Sequence, residues 1–214
     1  MSLNPHDDLR ALAELLQQQR KERQGLSDLN WSRLTAWRTL LASFYDAPEH
    51  TEPLSQMTGV RIDYIPPKTA RECISPKALI LAGWLASRLG WQASPTREHT
   101  VTDGVQSFFA EKGGRTITIE FHPSKHRAIT PGGIARVELV VESGTHKSFV
   151  AMRAEDGRDL QTREASDAKT RTTRVVSGAD KSEAELLAAE LEILSHDRIY
   201  EEAVVKAVEL FDGA

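Results

Sequence analysis

The stretch Val105-Gln106-Ser107-Phe108-Phe109-Ala110-Glu111-Lys112-Gly113-Gly114-Arg115-Thr116-Ile117-Thr118-Ile119-Glu120-Phe121 decides the fold class. Two runs rich in β-branched and aromatic residues flank a Gly-Gly pair, which is typical of a β-hairpin. Similar runs follow at 134–142, 146–154 and, with a break, 160–176, and further turns fall at Ser143-Gly144 and Asp156-Gly157. The pattern therefore predicts an antiparallel meander of five or six strands between residues 105 and 176.

Segments with helical spacing flank this meander on both sides. Apolar residues recur every three to four positions in helices predicted near 7–23, 31–45, 182–194 and 199–211. A further helix begins at Pro76 and is apolar on every face over 78–86, which indicates burial on most sides. Residues 59–65 alternate between apolar and polar side chains, which is typical of a strand with one buried face. An edge position in the sheet fits this strand, although the pattern does not establish its neighbours. The predicted fold is α+β, one domain over 1–214, a mostly antiparallel sheet with N-terminal and C-terminal helices.

The composition is that of an ordinary globular protein. The 214 residues are 40% hydrophobic and 27% charged, and 27 Lys and Arg face 31 Asp and Glu for a formal charge of −4. Nucleic-acid and anionic-membrane binders are usually basic, so this balance counts against both. One cysteine, Cys73, cannot form an internal disulfide, and no signal peptide is evident, so we expect a cytoplasmic protein.

Candidate catalytic and metal-binding patterns are weak. His122 and His126 have a metal-ligand spacing, but Pro123 argues against the helix that would bring the two rings together. The pairs Gly113-Gly114 and Gly132-Gly133 could present N–H groups to a phosphate, yet neither stands in a P-loop or dinucleotide motif. We therefore predict no catalytic residue, no metal site and no cofactor.

Two features could serve binding instead of catalysis. The strip Lys169-Thr170-Arg171-Thr172-Thr173-Arg174 could contact phosphate or an acidic surface, although a solvated sheet edge explains it as well. Four tryptophans lie in or beside the second and third predicted helices. Tryptophan and arginine are enriched at binding hot spots, but helix packing also accounts for these residues, which are Trp31, Trp37, Trp84 and Trp91.

The segments that hold these tryptophans carry a family resemblance. Asp28-Leu29-Asn30-Trp31-Ser32-Arg33-Leu34-Thr35-Ala36-Trp37-Arg38 resembles the hallmark of the glucose-6-phosphate dehydrogenase assembly protein family (OpcA). The run Ala82-Gly83-Trp84-Leu85-Ala86-Ser87-Arg88-Leu89-Gly90-Trp91 resembles a second hallmark of the family. Residues 190–203 are similar to its C-terminal segment. The resemblance implies that the chain corresponds to the C-terminal domain of longer family members.

The resemblance implies a non-enzymatic assembly factor or allosteric activator of glucose-6-phosphate dehydrogenase, in the oxidative pentose phosphate pathway of carbohydrate metabolism. The implied partner is that dehydrogenase, with no nucleic acid and no membrane. Redox control through a dithiol, which some members show, is unavailable to a chain with Cys73 alone. Two alternatives stay open: a sensor or enzyme that binds a sugar phosphate through Arg and Lys, and a nucleic-acid-binding module that uses the strip at 169–174.

Partner-binding residues are expected in the first hallmark, at Arg33, Arg38 and Trp31. We expect Trp37 to be structural, on the apolar stripe of this helix, and Arg33 to be free to face a partner. Arginine offers a planar fork of donors that suits a carboxylate on a partner protein. The alternative is that Arg33 pairs with Asp28 or another acid of its own chain.

Overall fold

The computed structural model describes residues 5–22, 28–68, 73–142, 146–157, 159–166, 169–177 and 197–211. The helix predicted at 182–194 lies outside these residues. Within the described residues no helix combines the length and the apolar character needed to cross a membrane.

The described part of the chain contains six α-helices and one short 3₁₀ turn. The 3₁₀ turn, Phe44–Asp46, follows directly on the third helix. The α-helices are α1 (Pro5–Glu22), α2 (Leu29–Arg33), α3 (Thr35–Ser43), α4 (Pro48–Ser55), α5 (Pro76–Leu89) and α6 (Arg198–Phe211).

Nine strands from the described residues form one sheet, which confirms the predicted α+β class. The spatial order is β2-β4-β5-β1-β6-β7-β8-β9, and β3 pairs with β4 beside this path. Every pairing except β1 with β5 is antiparallel. The strands are β1 (Met57–Tyr64), β2 (Gln92–Ala93), β3 (Thr100–Thr102), β4 (Val105–Lys112), β5 (Arg115–Pro123), β6 (Ile134–Glu142), β7 (His146–Arg153), β8 (Asp159–Ser166) and β9 (Lys169–Ser177).

The position of β1 corrects the expected continuous meander. β1 lies in the middle of the sheet, parallel to β5 and antiparallel to β6, so β5 and β6 are not neighbours. Val60 is opposite Ile119 on one side and Leu139 on the other. The reason is that β1 is buried on one face and half-buried on the other, which suits a strand with neighbours on both sides.

The two faces of the sheet differ in chemistry. Val60, Ile119 and Leu139 belong to the buried face, which shares one hydrophobic core with the helices. The opposite face carries alternating charges. Nε of Arg61 lies 2.7 Å from Oδ1 of Asp63, and this hydrogen bond raises the pKa of the arginine. Nε2 of His122 lies 3.0 Å from a carboxylate oxygen of Glu120 on the same face.

Helix α5 is the most deeply buried element. Pro76 stands at its start, Gly90 ends it in the left-handed region with φ +70°, and all nine residues from 78 to 86 are buried, as predicted. At Gly83 the backbone of α5 approaches that of α6 very closely. A Cβ built at this glycine would lie 2.3 Å from the carbonyl oxygen of Ala203 and 2.7 Å from Cβ of Ala207.

The region 31–55 differs from the predicted single helix followed by a break. The helix is interrupted at Leu34, where a turn separates α2 from α3. The Leu34 N–H donates to the Trp31 carbonyl three residues back, and the Thr35 hydroxyl donates to the Ser32 carbonyl at 2.8 Å. These bonds satisfy the carbonyls that a continuous helix would use, so the single helix expected to carry both Arg33 and Trp37 is not formed. Helix α4, which begins at Pro48 and contains Pro53, was not predicted from the sequence.

Replacing Gly83 with alanine is expected to lower the free energy of unfolding by about 1–3 kcal/mol. Alanine is the better helix former by about 1 kcal/mol, but the backbone of α6 cannot yield to a Cβ at 2.3 Å. Urea unfolding measures the difference. As the control, Ser87→Ala one turn along α5 should change stability by no more than about 0.5 kcal/mol. An unchanged midpoint for Gly83→Ala would show that the two helices are not in this contact.

Replacing Tyr45 with phenylalanine is expected to stabilise the fold by about 1 kcal/mol at neutral pH. Its buried hydroxyl has no hydrogen-bond partner among the described residues, and such a group costs free energy. Burial also raises the pKa of Tyr45 from 10.0 to about 12. The ionisation of this phenol therefore does not change the free energy of unfolding below pH 10. As the pH rises from 10 towards 12 the folded state loses stability, because the phenol of the unfolded chain ionises first. Unfolding between pH 8 and 12 should show a shallower decline for the variant; equal slopes would contradict the burial of this hydroxyl.

Candidate functional site

The first hallmark begins with a helix cap. Asp28 precedes α2 with extended backbone angles, and its Oδ1 accepts a hydrogen bond from the Asn30 N–H at 2.7 Å. Its other oxygen, Oδ2, accepts one from the Tyr200 hydroxyl at 3.1 Å. Asp28 thus begins α2 and also binds the first turn of α6, 172 residues further along the chain.

Asp197 caps α6 and also binds α2, as Asp28 caps α2 and binds α6. Its Oδ1 accepts a hydrogen bond from the Tyr200 N–H at 3.0 Å, which caps α6. Its Oδ2 accepts one from the indole N–H of Trp31 at 2.6 Å. The rings of Trp31 and Tyr200 lie 5.4 Å apart between the two carboxylates. We call these four residues, Asp28, Trp31, Asp197 and Tyr200, the clasp.

Arg38 covers the outer side of the clasp. Its guanidinium carbon lies 3.5 Å from the centroid of the Trp31 ring, which is the geometry of a cation–π contact. One of its terminal nitrogens donates to the Thr35 hydroxyl at 3.2 Å. Trp31 is left 4% exposed, so its surface is used almost wholly within the chain.

Arg33 belongs to a cluster of three cations that is separate from the clasp. It lines a narrow cleft together with Lys77 and Arg153, and each of the three has at least one interaction partner within the chain. We call these three residues the basic cleft. Its volume of about 10 Å³ accommodates about one water molecule. The other lining residues are Leu34, Trp37, Ile129, Thr130, Gly133 and Ile134.

Buried hydrogen bonds fix two walls of the basic cleft. Arg153 ends β7 and is 8% exposed, and one of its terminal nitrogens donates to the Gly157 carbonyl at 2.9 Å. Ser75 is fully buried, and its hydroxyl donates to the Gly132 carbonyl at 2.6 Å, which joins the start of α5 to the loop before β6. Lys77 is the second residue of α5. Three separate elements therefore bring positive charge to one place.

The three residues predicted to bind a partner occupy different environments. Arg38 and Trp31 stack on each other, whereas Arg33 faces the basic cleft. Lys77 and Arg153 were not predicted as site residues, because nothing in their local sequence relates them to Arg33. Asp197 was detectable in principle, since an aspartate before an apolar-periodic run is typical of a helix N-cap.

Of the other sequence candidates, Gly133 lines the basic cleft, whereas the histidine, cysteine and basic-strip candidates belong to neither cluster. The ring of His126 accepts a hydrogen bond from the Ala128 N–H, while His122 contacts Glu120. The described residues contain no group of three side chains suited to a metal ion. Cys73 is half-buried in the segment before α5. The basic strip at 169–174 lies in β9, the strand at one edge of the sheet.

Comparison with known proteins bears on these hallmarks directly. Residues 24–204 match the family model OpcA_G6PD_C, which describes the C-terminal domain of a glucose-6-phosphate dehydrogenase subunit. The chain belongs to this family. The match includes all four residues of the clasp and the three of the basic cleft.

The curated relatives of the chain are longer proteins. The chain is 28% identical over 183 residues to an OxPP cycle protein OpcA of Synechococcus elongatus, an alignment that covers 84% of this chain and 40% of the relative. It is 41% identical over 88 residues to the OpcA protein of Nostoc punctiforme, covering 41% of this chain and 17% of that one. The chain thus spans less than half the length of these curated relatives.

Solved structures give weaker matches. The dehydrogenase MviM of Clostridium difficile aligns with a TM-score of 0.45 at 14% identity, over 91% of this chain and 63% of that one. The 3-ketoreductase KijD10 of Actinomadura kijaniata aligns with a TM-score of 0.42 at 13% identity, over 79% and 57% of the two chains.

The clasp predicts energetic coupling between its two ends. In a double-mutant cycle of Trp31→Phe with Asp197→Ala, we expect a coupling energy of about 1–2 kcal/mol, because the indole N–H donates to a charged acceptor. Chemical unfolding of the four proteins measures it. The control cycle pairs Asp197→Ala with Trp91→Phe, a buried tryptophan after the far end of α5, and should be additive. Additive effects in both cycles would contradict the hydrogen bond.

Proposed function

We propose that this chain is a non-enzymatic assembly factor or allosteric activator that binds glucose-6-phosphate dehydrogenase in the cytoplasm. Membership of the family supports the proposal, since the family description names that dehydrogenase. The names of the relatives place them in the oxidative pentose phosphate cycle. The proposed role in the same cycle needs complementary surface and no positioned nucleophile.

The observation that carries the proposal is the basic cleft beside the first hallmark. Arg33, Lys77 and Arg153 converge on one narrow opening in a chain whose formal charge is −4. A carboxylate of the dehydrogenase that approaches this opening would meet three cations from three elements. Arginine can bind a carboxylate through two parallel hydrogen bonds, so Arg33 is the proposed anchor.

Arg38 and Trp31 have a supporting part in this proposal. The stacked pair adjoins Arg33 in sequence, and the Trp31 ring is fixed at its indole nitrogen by Asp197. This arrangement holds the guanidinium of Arg38 in one orientation, which lowers the entropy lost when it binds a partner. We therefore propose Arg38 as a second contact, with Trp31 as the residue that positions it.

The alternative functions have less support in the geometry. A sugar phosphate is much larger than a cleft with room for about one water molecule, so it could engage only the mouth. A nucleic-acid module would need a basic surface, whereas acidic residues outnumber basic ones in this chain. A partner carboxylate at the mouth fits the charge of the site.

Replacing Arg33 with glutamate is expected to weaken binding of glucose-6-phosphate dehydrogenase by at least about tenfold and to abolish its activation. Reversal of one charge at an interface typically has this magnitude, because like charges then meet. Binding is measured by calorimetry and activation by steady-state kinetics of the dehydrogenase. The melting temperature should stay near that of the unmodified chain, because Arg33 is only half-buried.

Two further variants make this experiment decisive. Lys77→Glu should have the same effect as Arg33→Glu, since both side chains line the cleft. Arg97→Glu is the matched control, because it makes the same charge change at an exposed residue. Normal activation by a folded Arg33→Glu chain would remove Arg33 from the interface. Binding of glucose 6-phosphate alone, lost in Arg33→Glu, would instead favour the sensor.

A further inference from the structure

A second cation-lined cavity lies in a different part of the fold. A cleft of about 240 Å³ lies between the end of α4, the start of β1, the end of α5 and the β4–β5 hairpin. We call it the hairpin cleft. Its floor is apolar, and the floor residues are each less than 5% exposed: Leu54, Met57, Trp91 and Ile117. Leu89 forms an additional apolar wall.

Two exposed cations stand together at the rim of the hairpin cleft. Lys112 and Arg115 flank the turn Gly113-Gly114 and are directly opposite each other in the strand register. Like charges directly opposite on an antiparallel pair repel and destabilise it. Arg115 donates to the Ser55 carbonyl at 3.4 Å, which directs it across the opening, and no carboxylate is among the described lining residues. A bound anion would relieve this repulsion.

The backbone of the Gly113-Gly114 turn is also accessible beside these cations. Gly113 and Gly114 have φ angles of +57° and +79°, as the tight hairpin turn requires, and nothing lies within 4 Å of a Cβ built at either residue. A ligand can therefore approach the backbone of the turn closely. Small-molecule sites in proteins share this composition, with mostly apolar walls and a few convergent polar groups.

We propose that the hairpin cleft binds a small organic anion with an apolar body. The apolar body lies over Met57, Trp91 and Ile117, and the anionic group lies between Lys112 and Arg115. This site shares no residue with the basic cleft. Lys77 and Leu89 mark the two ends of α5, about 18 Å apart at 1.5 Å per residue. The proposal is therefore independent of the proposed binding of the dehydrogenase.

The test uses 8-anilinonaphthalene-1-sulfonate, which combines an aromatic body with a sulfonate, and the full folded chain. We expect saturable binding in a fluorescence titration with one site per chain. The double variant Lys112→Gln/Arg115→Gln should bind it at least about tenfold more weakly, because charged hydrogen bonds at the rim are lost. Its affinity for the neutral analogue N-phenyl-1-naphthylamine should not change. The control Arg97→Gln/Lys125→Gln removes two exposed cations elsewhere and should leave both affinities unaltered.

Amide NMR spectra of the same complex locate the probe. Shifts at Gly113 and Gly114, with none at Gly132 and Gly133, are expected for the hairpin cleft. Shifts confined to Gly132 and Gly133 would place the anion at the basic cleft and overturn the proposal. Equal affinity of the double variant, or no saturable binding to the folded chain, would also overturn it. Activation of the dehydrogenase is not part of this readout, so the two proposals can fail separately.

Discussion

The close contact between α5 and α6 is the constraint on which the rest of this structure depends. Nine consecutive buried residues give α5 no side that can face water, so other elements have to cover it completely. The glycine at position 83 lets the α6 backbone cover one side at a distance that no other residue permits. Phe211 at the end of α6 then packs against Phe108 and Phe121 of the sheet, with ring centroids 4.8 and 5.4 Å apart. One contact therefore connects the helices to the sheet.

The clasp extends this constraint to the beginning of the chain. Each of its two aspartates caps one helix and accepts a side-chain hydrogen bond from the other, so α2 and α6 fix each other's first turns. The hallmark residues Trp31 and Gly83 and the segment around Tyr200 are thus explained first by packing. The arginines next to them, Arg33 and Arg38, are half-buried. Under the proposed function, the same motif maintains a scaffold and a binding surface together.

Sequence periodicity accounted for most of the elements because their signals are local. Hairpins such as β4–β5 have turn glycines between alternating strands, and α5 is uniformly apolar between a proline and a glycine. The central position of β1 could not be derived in this way, since it depends on pairing with strands more than 50 residues away. The break at Leu34 was also not predicted, because helical periodicity does not show that a side-chain hydroxyl competes there for a helix carbonyl. The basic cleft combines residues 33, 77 and 153, which only the tertiary fold brings together.

The insertion of β1 between β5 and β6 has a consequence for how the chain reaches its native state. The hairpins on either side can form from local contacts, but each leaves one long edge with unpaired backbone groups until β1 arrives. Strand order therefore makes the joining of two half-sheets a late and non-local event, which slows folding relative to a simple meander. Until that step the two open edges are sites where chains in a crowded solution can pair with one another. Because β1 precedes β5 and β6 in the chain, it is already synthesised when each of these edges forms, and its pairing with both covers them.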